Sequence, residues 1–150
     1  MPMEQLVKEM CNYKQQYTQF GGLRPFGVAF VFAGWDKHHG FQLYQSDPSG
    51  NYSGWRATVI GQNSQAGKGI LKTDYKENST QADNLKLAVK IMLKTMDATA
   101  PSPERIDLSE VKRMEDGSLV HVTVSDDIVQ NLIDVCQREA EAESKTSGDI

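Results

Sequence analysis

The tetrapeptide Asp47-Pro48-Ser49-Gly50 constrains this chain more than any other feature. Aspartate at i, proline at i+1 and glycine at i+3 are the preferences of a type I turn: proline presets φ, and the aspartate oxygen accepts from amides just ahead of it. Residues suited to strands flank it, Phe41 to Ser46 before and Tyr52 to Ile60 after, with a break expected near Gly54. A third run, Phe26 to Trp35, precedes them across the polar turn Asp36-Lys37-His38-His39-Gly40. Short links between three such runs predict an antiparallel meander. Phe26 to Trp35 is apolar on both parities: Val28, Phe30 and Phe32 point one way, Ala29, Val31, Ala33 and Trp35 the other. Burial on both faces is therefore expected, between a helix layer and a second sheet.

Helices bracket this segment. Met3, Leu6, Met10, Tyr13, Tyr17 and Phe20 alternate spacings of three and four, predicting a helix to about Phe20 with that stripe as its core face. Gly21-Gly22 ends it. Asn63 or Ser64 caps a helix reaching about Glu77, buried through Ile70, Leu71 and Tyr75. Thr80 with Asp83 forms a capping box for the next helix, whose stripe is Leu85, Ala88, Val89, Met92 and Met96. Ala98 to Pro103 reads as a loop. Ile106 to Met114 and Leu119 to Val124 form a hairpin about Asp116-Gly117. Ser125 caps a last helix with Ile128, Val129, Leu132, Ile133 and Cys136 inward. From Gln137 the chain has no large apolar residue until Ile150, so a frayed tail is expected, with residues 143–150 disordered. The order of elements makes an α+β layered domain.

A chain of 150 residues is one domain by the usual prior. Eleven of its twelve aromatic residues fall between Tyr13 and Trp55, so the first third anchors the core. The net charge of −4 argues against a general nucleic-acid binder, which needs a basic face. No apolar run reaches the ~18 residues of a membrane span. Cys11 and Cys136 lie on the apolar sides of helices and read as buried thiols, as fits a reducing compartment. No membrane and no cofactor are expected.

Chemistry-bearing patterns are few. Gly61-Gln62-Asn63-Ser64-Gln65-Ala66-Gly67-Lys68-Gly69 sits between strand and helix, but a phosphate loop needs four residues between its glycines and a hydroxyl after the lysine. Here the spacing is one too long and Gly69 replaces the hydroxyl, so Gly67 and Gly69 read as packing glycines. His38 and His39, adjacent on an extended turn, point apart and suit solvent better than a metal; His121 reads as a strand-face residue. Arg24 before Pro25 reads as a loop tie to a carboxylate. No catalytic residue and no metal site is assigned.

Longer stretches carry a resemblance. Tyr17 to Gly22, Arg24-Pro25-Phe26-Gly27-Val28, Gln42 to Gly50, Trp55 to Thr58, Ile60-Gly61 and Asn63-Ser64 resemble the α-type subunits of the 20S proteasome. The wording of Gly34 to His38 and Lys94 to Asp97 is nearest the type-4 branch, and the match runs from Met3 to about Glu141. The structural motif residues it implies are Tyr17, Gly22, Arg24, Pro25, Phe26, Gly27, Asp47, Pro48, Ser49, Gly50 and Gly61.

The resemblance implies an Ntn-hydrolase-like αββα sandwich, truncated at its N-terminus, with residues 1–142 as the C-terminal part of the domain. It implies a non-catalytic ring subunit that works with neighbouring α and β subunits in ubiquitin-dependent degradation, in cytoplasm and nucleus. The gate tail, the first helix and the early strands of the family are not matched, nor is its regulator-docking lysine, so neither gating nor docking is carried over. Uncovered edges and core faces would favour self-association or strand exchange. The alternatives are an active hydrolase of the β type and a phosphate-loop nucleotide binder. The first needs an N-terminal Thr, Ser or Cys, and the chain starts Met1-Pro2 with no such residue before Cys11.

Overall fold

A computed structural model describes residues 1–96 and 101–146, and side chains to residue 142. The chain divides into two compact units, Met1–Ile60 and Gly61–Ile150. Helices and antiparallel sheets alternate along it, as the α+β order requires.

In the first unit α1 spans Met3–Gln19 and a three-stranded antiparallel sheet follows: β1 (Phe30–Asp36), β2 (Gly40–Ser46) and β3 (Tyr52–Trp55), in that order. Phe30 pairs with Ser46 and Ser46 with Tyr52, which fixes the register across all three strands. Regular pairing starts at Phe30, four residues later than the apolar run begins, and β3 stops at Trp55.

The Asp47–Gly50 turn forms as expected. The Gly50 amide donates to the Asp47 carbonyl (3.2 Å), and the Asp47 amide to Asn51 O (3.0 Å). Asp47 Oδ1 accepts from the Ser49 and Asn51 amides. Gly50 has φ +91, and a Cβ there would lie 2.4 Å from the Cys11 carbonyl oxygen and 3.0 Å from Gln15 N. The turn thus presses directly on the α1 backbone, where only glycine fits.

The core face of α1 is not the predicted stripe. Val7, Cys11 and Lys14, spaced i, i+4, i+7, are buried. Leu6, Met10, Tyr13 and Phe20 are exposed. The approach of Gly50 to the backbone at Cys11 and Gln15, and of the Met3 side chain to Gly34, sets the helix rotation. The two-faced burial expected of β1 also fails within this unit. Phe30, Phe32, Gly34 and Asp36 lie on the α1 side, while Val31 and Ala33 alternate outward and are exposed. Only one layer covers this sheet here.

In the second unit, α2 (Ser64–Asp74) and α3 (Gln81–Thr95) precede a 3-10 turn at Pro103–Arg105, the hairpin β4 (Ser109–Arg113) and β5 (Leu119–Thr123), and α4 (Asp126–Thr146). Asn63 precedes α2 with φ 57, a left-handed conformation that asparagine tolerates. It makes no side-chain cap and instead donates to Thr95 O at 2.8 Å. The Thr80–Asp83 capping box is complete in both directions. Val89, Ile106, Val124, Val129, Ile133 and Cys136 form the core, with Leu85, Leu93, Met96, Leu108 and Leu132 packed on it. Met92 and Ile128 face outward, contrary to the predicted stripes. A Cβ at Gly69 meets nothing, so close packing does not explain that glycine.

α4 continues to Thr146, well past the end of its apolar face, so the frayed tail expected from Gln137 is helical over that stretch. Helix-forming Ala140, Glu141 and Ala142 sustain it without burial, as do the Gln130–Asp134 bond and the Lys86–Glu139 ion pair. Of the disordered tail expected over residues 143–150, the last four lie outside the described residues, as does half of the expected loop from 98 to 103.

Gly50→Ala should destabilise the first unit by more than about 2 kcal/mol, because a clash adds to the positive-φ cost. Thr80→Ala should cost about 1 kcal/mol through loss of the cap. Urea unfolding of each variant checks both magnitudes.

Candidate functional site

The motif residues gather around α1. Six of them, Tyr17, Gly22, Arg24, Pro25, Phe26 and Gly27, line one shallow open hollow after the helix. Gly22, at φ +84, lets the chain reverse there. Phe26 turns back onto the helix, its ring 4.8 Å from Tyr17 and 6.2 Å from Tyr13. Arg24 donates to its neighbour's carbonyl, Pro25 O, at 3.5 Å, so the expected carboxylate tie is not what holds it. The other group, Asp47, Pro48, Ser49 and Gly50, forms the turn against Cys11 and Gln15. Gly61, at φ +97, opens the second unit.

Lys14 joins the two groups, and the sequence reading assigned it nothing. Its Nζ donates to Val28 O (3.1 Å) beside the hollow, to Ser46 Oγ (2.9 Å) at the end of β2, and to Asp47 O (3.2 Å) in the turn. Three donors meet three acceptors, and the Phe30 ring centroid lies 4.2 Å away. Lys14 is 1% exposed and Ser46 0%. Burial pushes the Lys14 ammonium down, while the negative side of Cys11 and Asp47 acts to raise it. The spacing Val7, Cys11, Lys14 was the available signal, masked by the larger apolar stripe beside it.

Asp36 holds the other end of α1. Pro2 offers no side-chain cap, and the free Met3 amide donates instead to Asp36 Oδ2 (3.0 Å). Gln42 Nε2 (2.7 Å) and the His38 and His39 amides (2.9 Å each) complete the set. Hydrogen bonding, led by Gln42, holds this carboxyl well below the usual carboxylate range. Both histidines serve the turn through their amides, with ring centroids 6.4 Å apart, and His39 Nδ1 also lies 3.8 Å from Asp36 Oδ1.

This arrangement fixes backbone and presents no reacting group. The lysine–serine pair is sealed, so no substrate atom can reach Ser46 Oγ. Burial raises the Cys11 and Cys136 thiols, disfavouring the thiolate that would attack. Among the described residues no three His, Cys, Asp or Glu side chains converge as metal ligands. No described helix is long and apolar enough to cross a membrane. The glycine-rich stretch is helical from Ser64, so it forms no phosphate-cradling loop.

Lys14→Met should strand Val28 O and Ser46 Oγ, while Asp47 O keeps the Gly50 amide, and cost about 2–6 kcal/mol at roughly 1–3 kcal/mol per unsatisfied group, measured by urea unfolding of the first unit. For Asp36 the depressed folded value means its stabilisation is complete above the unfolded value of ~4 and fades as pH falls below it. Asp36→Asn should therefore lower Tm at pH 7 and shrink the Tm difference between pH 7 and pH 3, read from circular dichroism melts. An unchanged difference would contradict the assignment.

Comparison with known proteins agrees with the motif match. The family model described as proteasome subunit matches residues 1–111. The proteasome subunit alpha type-4-A of Arabidopsis thaliana is 61% identical over 111 residues, covering 74% of this chain and 44% of that protein. The alpha type-4 subunit of Spinacia oleracea is 54% identical over 133 residues, covering 89% and 53%. A subunit alpha type-4-1 of Oryza sativa subsp. indica is 60% identical over 111 residues, covering 74% and 44%. The chain spans about half the length of the relatives it matches.

Proposed function

The chain belongs to the proteasome subunit family, and from that premise we propose that it serves as a non-catalytic α-type subunit in the outer ring of the 20S core particle. Its task is assembly: it presents a rigid surface to neighbouring α and β subunits and cuts no peptide itself. The observation that carries this reading is the sealed Lys14 junction, in which the family's motif residues hold backbone in place and expose no nucleophile. Residues 1–142 correspond on this reading to the C-terminal part of an α-type domain.

The αββα Ntn-hydrolase sandwich is the matching fold proposal. The β1–β3 sheet supports it, with one face under α1 and an opposite face that carries exposed Val31 and Phe41 and suits a second sheet. Cytoplasm and nucleus are the proposed locations, and no nucleic acid or membrane is a proposed partner. Neither alternative gains an observation. Cys11 is buried within a helix, and the glycine-rich stretch is helical.

Tagged chain expressed in plant cells tests this. It should sediment with large particles that hydrolyse fluorogenic peptides, while purified chain alone hydrolyses none. Retention in small, inactive fractions would overturn ring membership; hydrolysis by the pure chain, blocked by a threonine-directed inhibitor, would overturn the non-catalytic assignment.

A further inference from the structure

No further inference is drawn: the strongest candidate, the cavity of about 230 Å³ between α3 and α4 lined by Leu93, Lys94, Cys136 and Ala140, carries nothing, because Lys90 and Glu139 at its rim are already paired with Asp74 and Lys86 and nothing in the structure shows what covers it.

Discussion

The first unit depends on one buried ammonium. Lys14 Nζ reaches three oxygens from three separate stretches of chain: Val28 O, Ser46 Oγ and Asp47 O. Ser46 Oγ, fully buried, would otherwise lack that donor in a place water enters poorly, while Asp47 O also accepts from the Gly50 amide. A single donor group at the centre of a helix thereby ties α1 to the loop, to the end of β2 and to the turn. Asp36 does the complementary task at the helix N-terminus, where an anion suits the helix dipole and the unpaired Met3 amide. One cation and one anion thus pin the same helix to the same sheet, and Gly50 allows the turn to close on it.

That construction explains why the motif residues cluster without assembling a catalytic centre. A hydrolase needs a nucleophile open to substrate and a base beside it. Here Lys14 and Ser46 are turned inward, and the Asp47 and Ser49 side chains are engaged within their own turn. What remains outside is shape: the hollow around Arg24 to Gly27, the aromatic stripe of α1 and the outer face of the β1–β3 sheet. Such surfaces suit a part that assembles with others, which is the task proposed for a proteasome α-type subunit.

The sequence was most legible where a structural signal is local. Asp47 to Gly50 and the Thr80–Asp83 box need only their own side chains and neighbouring amides, and both form as read. Strand pairing followed from the turns, and the family from its motifs. Helix rotation was less legible. In α1 the large apolar residues look like a core face, yet of that stripe Met3 is the one set against Gly34, and the residues buried further along are Val7, Cys11 and the thin stem of Lys14. A lysine gives no apolar signal although its methylenes pack like one. In α4 the loss of apolar residues after Cys136 looked like fraying, but alanine and glutamate propensity together with the Lys86–Glu139 ion pair sustain the helix. Arg24 was expected to meet a carboxylate but donates to Pro25 O, since a carbonyl one residue away is invisible to pattern.

If Lys14 unites α1 and the turn, they must open together. Native-state amide hydrogen exchange on the intact chain measures this directly. The Asp47 and Gly50 amides, which donate to Asn51 O and Asp47 O, should exchange with the same opening free energy as amides in the middle of α1, and Lys14→Met should separate the two sets. Turn amides that exchange orders of magnitude faster than α1 in the wild-type chain would contradict the account.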